Sequence, residues 1–365
     1  MISFSKPSGI SVIICCYNSA LRLPATLDKI AAQVTNGFEW ELIIVDNNSS
    51  DNTFSFAEKA LEEYGTTVSY KVMKEVEQGL SYARKKGVAN AAYDIIIFCD
   101  DDNWLKEDYL DYAYSLMFNN NSIGIAGGKS VANIEGKKSF WFDRYENVYA
   151  IGKQLPVSGY ANNRRYIIGA GMVIRKQIFE QLEEVGFHSI LSDRKGNELS
   201  SGGDSEICLL AMQLGYDLYY DERLQFTHYI SANRVEWSYC VEMMTKGFAH
   251  PQIYYAMYEA CFASVKNNAA VDFENIYRWN IRKQKRILLN ECKGITAFFG
   301  AVAAMIYSKP GNDKEIRVKT AINKLRYIKA NKKQLSADFN TILQLVKKIA
   351  QLKVTPVKQL PLQQN

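Results

Sequence analysis

Three uninterrupted apolar runs, Ser11–Cys16, Leu42–Val45 and Ile95–Cys99, recur in the first 130 residues, separated by amphipathic stretches at Ala20–Gln33, Thr53–Tyr64, Leu80–Ala92 and Leu105–Phe118. A strand that is apolar throughout must be covered on both faces, and strands that alternate with helices pair in parallel. The pattern predicts an α/β protein with a mainly parallel central sheet and flanking helices. Val68–Val72 alternates instead, as a more exposed strand does. A short polar segment follows each apolar run: Tyr17–Ser19, Asp46–Asn52 and Asp100–Asn103. Ligands of such sheets bind beyond the carboxyl ends of the strands, so these segments are expected to converge on one crevice.

The rest of the chain is organised differently. Residues 123–230 are mixed, with glycine-rich turns at Gly127-Gly128, Gly169–Gly171 and Gly202-Gly203, and the pattern turns helical after Arg234. Of the 44 basic side chains 19 fall after residue 275, against only 4 of the 39 acidic ones, so an acidic body carries a basic tail. Such a tail suits an anionic membrane surface or a helical cap over the body; no nucleic-acid module accompanies it, and nucleic acid is not expected as a partner. Ile295–Tyr307 is the most apolar stretch, but as a helix it reaches only about 20 Å of the roughly 30 Å needed to cross a bilayer. Seven scattered cysteines with no C-x-x-C spacing read as reduced thiols. With no secretory signal in Met1–Ser8, a cytoplasmic protein is expected, with peripheral attachment at the inner face of the plasma membrane as an option.

The strongest chemical signal is Asp100-Asp101-Asp102-Asn103 at the end of the most hydrophobic strand. Acidic turns are common, but three adjacent carboxylates at the tip of a buried strand repel one another and call for a cation. Hard oxygen ligands suit Mg2+ or Mn2+, shared with a diphosphate. Asp46 and Asn47 stand at another strand tip, where a carboxylate or amide can bond a nucleobase edge as well as build a turn. Arg84, one turn into a helix opened by Gly79, offers a guanidinium fork to phosphate, or is simply an exposed helix arginine. Asp204 opens an amphipathic helix, where it is a cap or a general base for a hydroxyl nucleophile. His228, one of three histidines, would complete a metal site if it lay beside the acidic cluster.

In this order the segments resemble the inverting nucleotide-sugar glycosyltransferases of family 2, which have the GT-A fold. The resemblance covers roughly residues 8–235 and rests on SVIICCYN at 11–18, ELIIVDNNSSDNT at 41–53, EQGLSYARKKG at 77–87, IIIFCDDDNWL at 95–105, GAGMVIRKQIF at 169–179, GGDSEICLLAMQLGYDLYYDE at 202–222 and His228. It implies a catalytic domain over 1–235, with a nucleotide-binding half at 1–130 and an acceptor-binding half at 131–235, followed by a helical basic region at 236–365. It also implies transfer of one sugar from a nucleoside-diphosphate sugar to a hydroxyl of a glycan or lipid-linked sugar, in polysaccharide, lipopolysaccharide or other glycoconjugate synthesis. Cys15 and Tyr17 match positions lining the base pocket, with Asp46 or Asn47 as the polar contact. Arg84, Asp100 and Asp101 fall on the nucleotide sugar. Asp102 falls on the metal, joined by His228, with Mn2+ or Mg2+ as the divalent cation. Asp204 matches the base, and Trp141, Gly171 and Met172 match the sugar and acceptor pocket.

The chain departs from the family pattern at three places. Cys15-Cys16 replaces the usual Pro-Thr type pair, Gly203 stands where a glutamate usually precedes the catalytic aspartate, and Arg278-Trp279 lacks the context of the Q-x-x-R-W motif of processive synthases. A single-sugar transferase is therefore expected rather than a polymer synthase. The rival readings are a nucleotidyltransferase, which would need a glycine-rich N-terminal loop that Ser11–Asn18 lacks, and an inactive sugar-nucleotide-binding scaffold.

Overall fold

A computed structural model describes residues 8–63, 68–191, 193, 201–294, 299–300, 302–303 and 306–352. Most of the apolar stretch Ile295–Tyr307 lies outside the described residues. The strands are β1 (Gly9–Cys16), β2 (Glu39–Asp46), β3 (Ser69–Lys74), β4 (Ile95–Asp100), β5 (Asn103–Leu105), β6 (Ile123–Ile134), β7 (Gly159–Tyr160), β8 (Met172–Arg175) and β9 (Asp217–Ile230). They form one sheet in the order β3-β2-β1-β4-β8-β6-β9-β5, with β7 paired to β9. β3, β2, β1 and β4 are parallel neighbours, β8 runs antiparallel to β4 and β6, and β9 is parallel to β6.

Helices cover both faces, as the apolar strands require. In β1, Ile13 points into one core while Ile10, Val12 and Ile14 point into the other; in β4 the same division separates Ile96 and Phe98 from Ile95, Ile97 and Cys99. The second core is closed by α1 (Leu23–Ala31), α2 (Thr53–Glu63) and α4 (Tyr109–Asn119). The first is closed by α3 (Leu80–Asn90), α6 (Lys176–Glu184), α7 (Gly203–Gln213), α9 (Pro251–Lys266) and the last helix of the chain. The edge strand β3 has no buried position: Ser69, Tyr70 and Lys74 are exposed and Lys71, Val72 and Met73 half-buried, without the alternation expected of it.

α4 begins at Tyr109, four residues after the start expected from Leu105, because Asn103–Leu105 are drawn into the sheet as β5. β5 pairs antiparallel with β9 and sets Asn103 opposite His228. A short α5 (Phe142–Tyr145) between β6 and β7 packs against α8 (Trp237–Glu242); beyond β9, α8 is followed by a π-helical turn at Met243–Gly247, then α9, α10 (Phe273–Glu291), α11 (Asp313–Ala330) and α12 (Lys332–Gln351). α12 buries Leu335, Phe339, Ile342, Leu345, Val346 and Ile349, spaced at three and four residues as an amphipathic helix requires. α11 inserts a fully buried Glu315, which accepts hydrogen bonds from Trp237 (3.0 Å), Ser308 (2.7 Å) and Lys319 (2.6 Å). Two helices of the basic tail are thus packed against the body. No helix among the described residues is long and apolar enough to cross a membrane.

Candidate active site

A single cleft of about 1060 Å³ opens at the carboxyl ends of β1 and β4, lined by Cys15, Tyr17, Asn47, Arg84, Asp100, Asp101, Asp102, Asp204 and His228, among others. The parallel register explains the first half of this set. Cys15 lies beside Asp100 and Cys16 beside Asp46, so the strand tips deliver their polar residues at one level. Burial pushes the Cys15 thiol up to about 12, which keeps it neutral.

The three aspartates have different partners. Asp100 accepts a hydrogen bond from the Asn103 amide (3.1 Å). Asp101 is bound by Arg22 (2.9 Å) and by the Ser19 hydroxyl, at the start of α1. Asp102 is paired with Arg234 (3.0 Å) and stands 3.4 Å from His228 Nε2. Burial raises the carboxyl pKa of Asp100 and Asp101, and their carboxylate neighbours add to it. Burial acts the same way on Asp102, but His228 and Arg234 outweigh it and hold that carboxyl well below the usual range. The His228 ring is oriented by Nδ1 against the Tyr149 carbonyl (2.8 Å). This leaves Nε2 as the ring nitrogen turned towards Asp102, the orientation in which a histidine can join a carboxylate on a metal. Asp102 and His228 therefore fit a divalent cation as a pair. No group of three such side chains capable of holding a metal is present among the described residues.

Asp204 closes the opposite wall. It stands at the start of α7, where Oδ1 accepts from the Ser205 N–H (2.7 Å) and Oδ2 from the Gly169 N–H (2.9 Å). Burial and the neighbouring Asp193 raise its pKa, while Arg84 and the two backbone donors work against them. Gly169 makes the approach possible: a Cβ there would lie 3.1 Å from Arg84 Nη2 and 3.1 Å from Asp204 Oδ2. Arg84 is not an exposed helix arginine. It is buried, pairs with Asp193 (3.2 Å) and lies over the Phe98 ring.

Several expected residues sit elsewhere. Asp46 is 2% exposed and lies beneath the cleft, with Oδ1 lacking a hydrogen-bond partner. Asn47 reaches the cleft, but its amide is used to brace the 75–79 turn, donating to Glu77 O (2.7 Å) and accepting from Gly79 N (2.7 Å). Trp141 is not in the pocket; it is buried in an aromatic cluster with Phe142, Tyr145 and Trp237. Gly171 and Met172 also lie behind the wall. The Gly171 carbonyl accepts from Tyr109 and Met172 enters the core opposite Phe98, leaving Gly169 and Ala170 to face the cleft.

The sequence reading missed Arg22, Arg234 and Asp193. Nothing local marks them, since each gains meaning only from a carboxylate or guanidinium more than 75 positions away. Past Asp204 the cleft continues along Met244, Phe248, Gln252 and Tyr255 on the π-helical turn and α9. A π-helical turn is a frequent feature of functional sites.

A family model described as Glycosyl transferase family 2 matches residues 11–183. Cholesterol galactosyltransferase of Borreliella burgdorferi is 31% identical over 31% of this chain and 30% of its own length. Poly(ribitol-phosphate) beta-N-acetylglucosaminyltransferase TarP of Staphylococcus aureus is 30% identical over 35% of this chain and 38% of its own. The chain thus spans little more than a third of these curated relatives at most. Among solved structures, S. aureus TarS 1–349 in complex with UDP matches at 17% identity and a TM-score of 0.47, covering 89% of this chain and 91% of that one.

Proposed function

Residues 11–183 are a glycosyl transferase family 2 domain, and from that premise we propose that the chain moves a single sugar from a nucleoside-diphosphate sugar to a hydroxyl acceptor, with inversion at the anomeric carbon. The observation that carries the reading is that the acidic strand tip and Asp204, about a hundred positions apart, line one cleft. The nucleotide would lie over the ends of β1 and β2, against Cys15, Tyr17 and Asn47. The acceptor would enter past Tyr255 and Gln252. We keep 1–235 as the catalytic body and 236–365 as its helical, basic cap.

Asp204 accepts the proton of the acceptor hydroxyl as that oxygen attacks. Its raised pKa suits this, because a carboxylate of ordinary acidity is a weak base near neutral pH. The two backbone donors hold the carboxylate in place, and Gly169 lets it stand against the donor sugar. Arg84, buried in the cleft wall, would offer a positive charge to the departing diphosphate. Arg22, Arg84 and Arg234 do not balance the five carboxylates Asp100, Asp101, Asp102, Asp193 and Asp204. That imbalance favours a divalent cation between the wall and a diphosphate. Asp102 and His228 would hold it, and when bound a Mn2+ or Mg2+ ion supplies Lewis-acid neutralisation of charge on the leaving group.

Asp204→Asn is expected to lower transfer by about a hundredfold or more while leaving nucleotide affinity unchanged. Thermal-shift titration with UDP, GDP and dTDP in Mn2+ gives the binding arm, and nucleoside-diphosphate release gives the activity arm. Turnover close to normal in the variant removes Asp204 from the mechanism. Chelation by EDTA is expected to abolish release, with recovery on adding Mn2+ or Mg2+; full activity without metal ends the cation assignment.

An anionic membrane surface is the partner we propose for the outer face of α10. Trp279 (52% exposed) and Leu289 (69% exposed) lie on one side of that helix. Arg282 and Arg286 fall on the same side at helical spacing, and apolar residues flanked by cations suit an interfacial helix. Residence would then be cytoplasmic, at the inner leaflet.

A further inference from the structure

Gly203 is a glycine for reasons of space. Its backbone is not in the left-handed region, yet a Cβ there would lie 2.4 Å from Asp193 Oδ2 and 2.9 Å from its Cγ. The Asp193 carboxylate, brought in from the chain before α7, fills the volume that a side chain at 203 would take. It is nine-tenths buried and fully engaged. Oδ1 accepts from the Gly202 N–H (3.1 Å) and the Gly203 N–H (2.8 Å), and Oδ2 accepts from Arg84 Nη1 (3.2 Å).

Arg84 Nη2 meanwhile lies near the other carboxylate: it and Asp204 Oδ2 are each 3.1 Å from the Cβ position of Gly169, and the guanidinium charge acts on Asp204 without an ion pair between them. The guanidinium stands among three acids, Asp193, Asp100 and Asp204, and pairs with Asp193. We propose that Asp193 is the positioning residue that holds Arg84 away from Asp204, leaving Asp204 free to take a proton. The inference rests on the reading of Asp204 as the base. A buried guanidinium does not stay unpaired. Without Asp193 the charge on Arg84 turns to Asp204, and an ion-paired carboxylate is a weaker base. Asp193, Arg84, Tyr255 and Cys208 are the titratable groups that act on Asp204 or feel its charge. Asp193 and Arg84 are the two of these that act on Asp204 itself, in opposite directions, so removing one leaves the other to set the basicity.

The test compares Asp193→Asn with Asp204→Asn and with the relocated carboxylate, Asp193→Gly/Gly203→Asp. The assay is release of nucleoside diphosphate from UDP- and GDP-sugars. Asp193→Asn is expected to lower kcat by about tenfold or more, with affinity for the free nucleoside diphosphate held within about threefold. The acid limb of its pH profile should move down by about half a unit or more. The relocated carboxylate should recover at least about a third of the lost kcat, since it re-enters the same space. A wild-type kcat and pH profile in Asp193→Asn overturns the proposal, as does a folded double variant no more active than Asp193→Gly. If Asp204→Asn is itself active, the base assignment fails first, and the two failures are distinguished.

A second measurement needs no turnover. Gly203→Ala should lower Tm by at least about 2 °C in the wild type and have no further effect in Asp193→Gly. Equal effects in both backgrounds show that Asp193 does not occupy that space, and overturn the inference.

Discussion

Single residues decide the chemistry of the cleft, and burial decides the residues. Asp100, Asp101 and Asp102 are one acidic run in sequence, yet only Asp102 is held below the ordinary carboxylate range, because His228 and Arg234 face it. The same holds for Glu206, one turn inside α7. It is fully buried and accepts from Ser189 (2.5 Å) and Tyr258 (2.5 Å), and burial pushes its carboxyl up to about 7 despite those donors. The folded chain therefore binds a proton at Glu206 between the unfolded pKa of 4.5 and about 7, where the unfolded chain does not. The sign follows: stability falls as pH rises through that window, by roughly 3 kcal/mol at most, and is level above it. Melting curves from pH 4.5 to 8 should show Glu206→Gln losing less stability than the wild type over this range. Equal slopes would mean that Glu206 is ionised in the folded state. The acidic residues and His228 were visible in the sequence as candidates, whereas the pairing of Arg84 with Asp193 was not, because 109 positions separate them.

At the level of elements, the apolar runs announced their strands to within three residues, since a strand covered on both faces has no other composition open to it. The failures came where tertiary pairing overrode local pattern. Asn103 read as the end of a polar segment and Leu105 as the start of a helix, but pairing with β9 draws Asn103–Leu105 into the sheet and so brings Asp102 to His228. β6 and β9 change register around Gly127 and Lys129, and Gly128 sits at that irregularity with no room for a side chain. A Cβ at Gly128 would fall 1.5 Å from the Leu224 carbonyl oxygen, a backbone atom that cannot turn aside. Gly128→Ala should therefore destabilise by about 3 kcal/mol or more, read as a fall in the urea midpoint. An unchanged midpoint would show that the two strands are not so closely apposed. Gly169→Ala presses instead on the ends of Arg84 and Asp204, so it should reduce turnover more than stability.

Over the whole molecule, the basic tail is divided in two by packing. α11 and α12 turn their apolar residues to the body, and Lys348 donates to the Val185 carbonyl (3.2 Å) at the end of α6. Lys324 is buried as well, which lowers its ammonium pKa to about 8. Phe339→Ala should cost roughly 3–5 kcal/mol, measured by denaturant unfolding, because Phe339 is 3% exposed in the main core. A cost below about 1 kcal/mol would mean the cap is only loosely attached. The outward cations on α10 remain for a partner. Arg282→Glu/Arg286→Glu should abolish flotation with vesicles containing anionic lipid and leave Tm within about 2 °C of wild type. Flotation that survives the double charge reversal excludes this face.

The sequence determined which segments must be buried, since apolar runs and amphipathic repeats leave a chain in water few other choices. It also determined which strand tips carry charge. Proximity was decided only in three dimensions: an arginine just before α1, a histidine in β9 and an aspartate before α7 reach the same hollow because sheet order and register, set by the packing of both cores, bring their backbones together. Coulomb and hydrogen-bond energies act over a few ångströms of space, and distance along the chain says almost nothing about that separation.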